Sequence, residues 1–233
     1  MERKTMRTIL ALAATCLFLI GMLSTANAQW WTSSSSTSST SSTSSSSSSS
    51  GLGTYSVVSS TIGDPNAVSI SSMTKLSSVS STGWTKVSLP SPCKDGSGAS
   101  TFIMVRKGSV NNIMIHFEYG GACADYSTCQ SILSGGSVIT LNPSYTSLSL
   151  TNTAGIFNNS NTNNPFRNWT WVFVPFGTGD IHMGNRAVKY TSGLSSKTVY
   201  HAGYLNAMVA MRWAKAQGTW GKVAQRIATI ALR

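Results

Sequence analysis

The chain has 233 residues, of which 41% are hydrophobic and 10% charged, and its 17 Lys and Arg against 6 Asp and Glu give a formal charge of +11. This size and composition fit one domain with a substantial core, and they exclude an acidic disordered protein and, because Gly has no fixed period, a collagen-like repeat. Only one apolar stretch, at the N-terminus, approaches membrane length, which excludes a protein with several membrane spans.

The N-terminus has the pattern of an export signal. An apolar run at residues 9–23 is followed by the small-x-small cleavage pattern Ala26-Asn27-Ala28. Three basic residues precede the run: Arg3, Lys4 and Arg7. We therefore expect residues 1–28 to be a cleaved signal peptide, and the mature protein to be secreted, to the periplasm or outside the cell, with no membrane anchor. Lipidation at Cys16 and an uncleaved anchor remain alternatives.

A low-complexity segment separates this signal from the folded part. Every position from 32 to 50 is Ser or Thr. Such a segment buries too little apolar surface to offset the entropy of ordering it, so residues 29–53 are predicted to be a disordered linker. A neutral low-complexity insertion would have the same composition. Residues 54–233 are then the folded domain.

The first predicted elements of this domain are two strands and a helix. Residues 101–106 and 112–117 are β-rich, and the turn residues 107–109 between them predict a hairpin. A helix is predicted over residues 125–133, with Asp125 or Ser127 as its N-cap.

The later elements complete a prediction of the α/β class. Residues 141–164 are rich in Asn, Ser and Thr and are interpreted as a long surface loop, whereas the apolar run 169–175 predicts a strand buried on both faces. A helix is predicted over residues 199–217, with Gly218 at its C-terminal cap. Its apolar positions recur at helical spacing: Tyr200, Tyr204, Ala207, Met208, Met211 and Ala214. Strands separated by helices predict a mostly parallel sheet.

Four segments in chain order carry the strongest functional signal. They are C-K-D-G-S at 93–97, E-Y-G-G-A-C at 118–123, the stretch G-I-F to M-G-N at 155–185, and Y-H-A-G-Y-L-N at 200–206. Together, over residues 91–223, they resemble the pectin acetylesterase/Notum family of serine carboxylesterases. The resemblance implies an incomplete α/β-hydrolase-like sheet with flanking helices, and a secreted ester hydrolase that deacetylates polysaccharide through a serine acyl-enzyme.

The second segment also has a physical interpretation. A strand that ends in Gly-Gly leaves backbone N–H groups able to face a ligand, and in α/β hydrolases the loop after this strand supplies one oxyanion N–H. The candidate oxyanion-hole residues are therefore Gly120, Gly121 and Ala122, with an ordinary glycine turn as the alternative. Candidate residues of the substrate pocket are Tyr119, Tyr126 and Asp180. The family has Gly in place of Tyr119, and its plant members have Trp in place of Ala122.

The nucleophile that the resemblance requires is missing from the sequence. In the family, a G-x-S-A-G-G elbow follows the strand after the fourth segment, and the acid and His of the triad come later. Here that strand begins at Gly221, and no G-x-S-x-G occurs; the nearest approach, residues 193–197, is interpreted as a loop. We expect a chain that ends before the nucleophile, through a frameshift or an early stop, and that is inactive. A non-catalytic secreted polysaccharide-binding module and an unfolded gene fragment are the alternatives.

The histidines do not suggest a replacement triad. His116 is predicted on a sheet face, His182 in a loop, and His201 at the start of a helix. The spacing of Asp180 and His182 is compatible with a metal site, but no second pair supports it. No metal and no cofactor are predicted.

Cysteines and charge complete the predictions. In an exported protein Cys123 and Cys129 are close enough along the chain to form a disulfide, which leaves Cys93 over. The excess of basic residues favours an anionic partner, and the resemblance implies an acetylated, acidic, pectin-like polysaccharide. Nucleic acid is not predicted, because no motif for it accompanies the charge. The protein is expected to be a monomer.

Overall fold

The computed structural model describes residues 53–133 and 155–227. The strands in this part of the chain are β1 (Thr54–Ser59), β2 (Thr85–Ser88), β3 (Phe102–Arg106), β4 (Asn112–Phe117), β5 (Thr170–Val174), β6 (Arg186–Ser192), β7 (Ser195–His201) and β8 (Lys222–Ile227). The helices are α1 (Tyr126–Leu133) and α2 (Gly203–Ala216), with short 3-10 turns at Leu76–Ser78 and Gly155–Phe157. The predicted signal peptide, nearly all of the linker and most of the predicted loop at 141–164 lie outside the described residues.

The main sheet has five strands in the order β2-β3-β5-β4-β8. The pairings of β2 with β3 and of β3 with β5 are antiparallel, whereas those of β5 with β4 and of β4 with β8 are parallel. The α/β class is therefore confirmed. In detail the sheet is mixed, because its first two ladders run antiparallel and only the other two are parallel.

The predicted hairpin between β3 and β4 is wrong, although both strands lie where the sequence predicts them. Strand β5 is inserted between them and pairs with both. All five residues of β5 are buried, so this strand needs a neighbour on each side and a layer over each face. The turn residues 107–109 therefore do not form a tight hairpin turn. They begin the connection from β3 to β4, two strands that are separated in the sheet by β5.

The sheet separates two apolar clusters. Because side chains alternate along a strand, Val172 and Val174 of β5 point to one cluster, and Trp171 and Phe173 point to the other. The first cluster is closed by α2, whose buried face is Leu205, Val209, Ala210, Trp213 and Ala214. The second is rich in aromatic side chains: Trp84, Phe102, Trp171 and Phe173, with Phe157, Phe166 and Trp169 partly buried against it.

A second, antiparallel sheet has the order β1-β6-β7. Strands β6 and β7 form a hairpin that the sequence analysis did not predict, with Gly193 at φ 57° in its turn. The predicted helix over 199–217 is thus wrong in its first residues, which belong to β7, and the loop interpretation is wrong for residues 195–197. Pairing of Val199 with Val188 buries both side chains, and this tertiary gain outweighs the helical spacing of neighbouring residues.

The two helix termini follow their predicted signals. Asp125 caps α1, since its Oδ1 accepts a hydrogen bond from the N–H of Thr128 at 2.8 Å. Helix α2 ends at Ala216, and Gly218 lies just beyond its cap at φ 146°, a conformation that favours glycine. Neither these helices nor any other in the described part of the chain is long and apolar enough to cross a membrane.

Candidate oxyanion site

The candidate site lies beyond the carboxyl ends of two neighbouring strands in the middle of the main sheet, β4 and β5. Strands β4 and β5 are parallel, so the loops that follow them leave the sheet side by side, where open α/β sheets bind their ligands. We call residues 118–123 the glycine loop and residues 175–184 the aspartate bend. Two backbone hydrogen bonds join this edge of the structure: Glu118 N–H donates to the carbonyl of Val174 at 3.0 Å, and Cys123 N–H donates to the carbonyl of Gly179 at 2.9 Å.

Between these two anchors the glycine loop presents backbone donors. Within residues 53–133 and 155–227, the N–H groups of Gly120, Gly121 and Ala122 donate no hydrogen bond. Ala122 lies opposite Asp180 in an isolated antiparallel bridge, and it is exposed, whereas Gly121 is half-buried. The three predicted oxyanion residues thus lie together as consecutive donors in a segment held at both ends.

The absence of a side chain at Gly120 is required by packing. A Cβ atom built there would lie 1.7 Å from Cδ1 of Phe176, whose ring covers the glycine. Both residues are buried, and Phe176 is only 3% exposed. Glycine here therefore permits the glycine loop and the aspartate bend to approach closely.

Glu118 and His182 reinforce the same contact. The Glu118 carboxylate accepts a hydrogen bond from the N–H of Phe176 at 2.8 Å, and Nε2 of His182 donates to the Glu118 carbonyl at 2.9 Å. A carbonyl only accepts, so Nε2 carries the proton. Burial lowers the pKa of His182, partly opposed by this hydrogen bond and the charge of Asp180. A neutral imidazole therefore holds the start of the glycine loop.

Asp180 organises the aspartate bend and the start of α2. Its Oδ1 accepts hydrogen bonds from the Thr178 hydroxyl at 2.6 Å and the His182 N–H at 3.1 Å. Its Oδ2 accepts from the N–H groups of Gly184 at 3.1 Å and Gly203 at 2.7 Å. The cap residue of α2, Ala202, has no side chain that can bond, so Asp180 supplies the cap from a distant part of the chain.

The aspartate bend holds an uncommon backbone conformation. Ile181 and His182 have φ values of 51° and 59°, in the left-handed region that non-glycine residues seldom adopt. A β-branched residue there costs on the order of 1–3 kcal/mol. The bonds from Asp180 on both sides of Ile181 hold this conformation, and strain of this kind is concentrated at functional sites.

The family assignment agrees with this geometry. The sequence profile of the pectinacetylesterase family matches residues 74–213, well over half of the chain. The chain belongs to the pectinacetylesterase family. The matched range contains the glycine loop, the aspartate bend and most of α2, as the sequence resemblance had predicted.

Solved structures similar to this member of the family include two crystal forms of the Wnt deacylase Notum from Drosophila. Both are 14% identical in sequence, with TM-scores of 0.48 and 0.42 over 63% and 59% of this chain. This chain covers 43% and 38% of those two chains, and so spans less than half of their length. A search of curated proteins gave no match.

The predicted pocket residues fall in different places. Asp180 lines a cavity of about 500 Å³ that borders Ala122, but its carboxylate is already occupied by the four hydrogen bonds described above. Tyr119 is 52% exposed and Tyr126 packs against Val188 and the other members of a small cluster, and neither lines this cavity.

The described residues also show the surroundings of His116, which is predicted on a sheet face, and of Asp180 and His182, whose spacing is compatible with a metal site. His116 is buried between the rings of Phe157 and Phe173, with centroids 5.1 and 5.3 Å away, as predicted for a sheet-face residue. Asp180 and His182 both bond to neighbouring backbone groups. No group of three or more His, Cys, Asp or Glu that could hold a metal ion occurs in the described ranges.

A buried network that the sequence did not predict lies behind the glycine loop. His201 ends β7 rather than starting a helix, and its Nδ1 donates to the carbonyl of Thr178 at 2.9 Å. Its Nε2 lies 2.8 Å from the hydroxyl of Tyr190, which is 3.2 Å from the carbonyl of Cys123. Burial is the main cause that raises the pKa of Tyr190 to about 12. Through the carbonyls of Cys123 and Thr178, this network links the glycine loop and the aspartate bend to β6 and β7.

This network is expected to make the stability of the protein depend on pH. Burial lowers the pKa of His201 below its ordinary value of 6.5, so the unfolded chain binds a proton more readily than the folded one. Stability should be complete above that value and should decline as the pH falls below it, by up to about 1.4 kcal/mol per pH unit for each such histidine. Urea unfolding at about pH 7.5 and about pH 5.5 measures this, and His182 adds a decline of the same sign. His201→Gln should reduce the decline; an equal decline in that variant would exclude His201 as a cause.

The predicted disulfide between Cys123 and Cys129 is confirmed, with Cα atoms 4.6 Å apart. It joins the end of the glycine loop to the first turns of α1. The free thiol of Cys93 is buried, which raises its pKa to about 12 and leaves it unreactive as a thiolate.

Removing the disulfide is expected to destabilise the protein modestly. The bonded residues are six positions apart, and closing so short a loop stabilises a protein by roughly 2 kcal/mol. The double variant Cys123→Ala/Cys129→Ala should unfold at a lower temperature than the oxidised protein, and close to the reduced wild type. A melting temperature that is the same before and after reduction would contradict this.

Proposed function

We propose that this chain carries the oxyanion-binding part of a carboxylesterase that removes acetyl groups from an acidic polysaccharide. The observation that carries the proposal is the set of N–H groups at Gly120, Gly121 and Ala122, which donate no hydrogen bond within the described part of the chain. They follow a parallel strand at its carboxyl end, in a segment anchored on both sides. Membership of the pectinacetylesterase family supports acetyl-ester chemistry.

The proposed role of these donors follows from acyl transfer. When a serine oxygen attacks an ester carbonyl, the new bond forms at carbon and the C=O electron pair moves onto oxygen, which becomes negative. Two N–H donors held at that oxygen stabilise the tetrahedral intermediate more than the ester, and each such donor contributes about 3 kcal/mol. Gly121 is half-buried and Ala122 is exposed, whereas Gly120 is buried, so Gly121 and Ala122 are assigned this role. Collapse of the intermediate then breaks the C–O bond to the sugar, whose oxygen takes up the proton that the serine hydroxyl lost and leaves as a hydroxyl, and the acetyl group remains on serine.

We also propose that the chain of 233 residues does not itself supply the nucleophile. Its sequence contains no G-x-S-x-G. Ring nitrogens of two histidines are engaged with other groups: Nε2 of His182 donates to the Glu118 carbonyl, and both ring nitrogens of His201 contact Thr178 and Tyr190. Neither histidine is arranged as the base of a triad.

Secretion and the polymeric substrate belong to the same proposal. The basic residues, apolar run and cleavage pattern in residues 1–28 support export, and the Ser/Thr-rich segment 29–53 would hold the domain away from its neighbours. Without residues 1–28 the chain has 14 Lys and Arg against 5 Asp and Glu, and this net charge of +9 would raise the local concentration of a polyanionic substrate.

A phosphonate titration tests the oxyanion assignment. Methylphosphonate carries anionic oxygens like that of the tetrahedral intermediate, so it should shift the amide ¹H–¹⁵N signals of Gly120, Gly121 and Ala122. Ala122→Pro removes one donor and should weaken the binding, whereas Ala122→Ser keeps the donor and should not. If the signals of these three amides do not shift when methylphosphonate is added, the assignment is contradicted.

Turnover and active-site labelling test the absence of a nucleophile. The purified chain should release no acetate from acetylated pectin and should gain no mass with a fluorophosphonate, which modifies activated serines. Acetate release together with labelling of one serine would show that this chain has a nucleophile of its own.

A further inference from the structure

A cavity next to the glycine loop has walls that the acetyl chemistry does not explain. Its volume of about 500 Å³ lies within the range of small-molecule sites, whereas an acetyl group would fill only a small part of it. It borders Ala122 and the aspartate bend on one side, and the β1–β6 ladder on the other. A group bound there would lie beside the proposed oxyanion donors.

One wall of the cavity is an exposed apolar and aromatic surface. Tyr55 pairs with Tyr190 and Val57 pairs with Val188 across β1 and β6, so all four side chains lie on the same sheet face. Tyr55 remains 51% exposed and Val57 48% exposed, and Met183 of the aspartate bend is 73% exposed on the other side. Such a surface suits the C–H face of a sugar ring, which packs against aromatic and aliphatic side chains.

The cavity lining contains one cationic side chain, Arg186, and one carboxylate, Asp180. Arg186 begins β6 on the same face as Val188, lines the cavity and is exposed. No ion pair of Arg186 with a carboxylate is found among residues 53–133 and 155–227, and the positive charge of this guanidinium acts to lower the pKa of both His201 and Tyr190. The one carboxylate in the lining, Asp180, already accepts four hydrogen bonds.

We propose that this cavity binds the carboxylate-bearing sugar unit next to the acetylated one, with Arg186 pairing the carboxylate and Tyr55 packing on the ring. A guanidinium matches a carboxylate with two parallel hydrogen bonds, which a neutral sugar cannot accept in the same way. Arg186 thereby selects a hexuronate over a neutral hexose at this position. The inference rests on the proposed function, because it places the sugar chain beside the oxyanion donors.

Binding of short oligosaccharides tests this subsite without requiring turnover. Trigalacturonate and the neutral trisaccharide galactotriose would be titrated into the purified chain by calorimetry. The wild type should bind trigalacturonate the more tightly, and Arg186→Gln should raise its Kd about tenfold or more while leaving galactotriose unchanged. Tyr55→Ala should weaken both ligands.

The chain offers a matched control on the same strand. Lys189 is exposed on β6 but points to the opposite face, because its position differs from that of Arg186 by an odd number of residues. Lys189→Gln removes the same charge and should change the Kd less than twofold. Equal effects of the two variants would indicate nonspecific attraction and overturn the proposal, as would undetectable trigalacturonate binding or a wild type that binds the neutral trisaccharide equally well.

The outcome is separable from that of the oxyanion assignment. Ala122→Pro should weaken methylphosphonate binding and should raise the Kd for trigalacturonate less than Arg186→Gln does, because Ala122 only borders the cavity. Arg186→Gln should raise the Kd for trigalacturonate and leave the methylphosphonate shifts of Gly120 and Gly121 in place. If Ala122→Pro has no effect on methylphosphonate binding, the oxyanion role is excluded but the uronate subsite is not. If Arg186→Gln has no effect on trigalacturonate binding, the uronate subsite is excluded but the oxyanion role is not.

Discussion

Gly120→Ala is expected to destabilise the protein by at least about 3 kcal/mol, or to prevent folding. The added Cβ would lie 1.7 Å from the Phe176 ring, which is buried. Overpacking of this kind usually costs 1–3 kcal/mol when a flexible side chain can move away, and a rigid ring between two loops gives way less easily. Urea unfolding of the variant and the wild type measures the difference.

Two further variants separate steric overlap from a general loss of glycine. Gly83→Ala adds the same methyl group where no atom lies within 4 Å, and it should change stability by less than about 0.5 kcal/mol. In the Gly120→Ala background, Phe176→Leu removes the ring and should recover part of the loss, giving a coupling energy in a double-mutant cycle. A Gly120→Ala protein as stable as the wild type would refute the proposed close approach of the two loops.

Asp180→Ala is expected to cost about 3–5 kcal/mol. It leaves three backbone N–H groups and the Thr178 hydroxyl without their acceptor, and it removes the negative charge from the N-terminus of α2. It also releases Ile181 and His182 from the bonds that hold their positive φ values. Chemical unfolding followed by tryptophan fluorescence measures the loss.

Graded substitutions check that the carboxylate is responsible. Asp180→Asn keeps one accepting oxygen and should lose less stability than Asp180→Ala. Asp64→Ala removes an exposed carboxylate that accepts a hydrogen bond from the N–H of Asn66, and should cost less than about 1 kcal/mol. If Asp180→Ala and Asp64→Ala cost the same, Asp180 does not organise the bend.

Local signals predicted the individual elements better than their pairing. Strands β4 and β5 and helix α1 lie where a β-rich composition, a continuous apolar run and the Asp125 cap predict them. Strand β3 pairs with β5 rather than with β4 because β5, which is buried on both faces, is inserted between them. The residues next to β3 in the sequence do not indicate this, since β5 is distant along the chain. Val199 shows the same limit, because its place in β7 is decided by contact with Val188, which lies in another strand.

The candidate site was predicted to a similar depth. Gly120 and Gly121 were identifiable because a Gly-Gly pair after a strand has a direct physical meaning, and the disulfide because its cysteines are neighbours in the chain. Asp180 was identified as a pocket residue, but its role as a distant helix cap depends on Gly203, which is 23 residues away. Arg186 could not be predicted as a binding residue from its neighbours in the sequence, because its proposed role depends on lining the same cavity as Tyr55, which lies in another strand.

Amide hydrogen exchange across the glycine loop distinguishes N–H groups that donate a hydrogen bond from those that do not, and an oxyanion site there requires unbonded donors between two bonded ones. The N–H groups of Glu118 and Cys123 should be protected by their bonds to Val174 and Gly179, whereas those of Gly121 and Ala122 should exchange far faster. That alternation would establish a segment that is held at both ends and open in the middle. Protection of Gly121 and Ala122 equal to that of Cys123 would mean that these donors are already occupied, and the loop could then not bind an oxyanion.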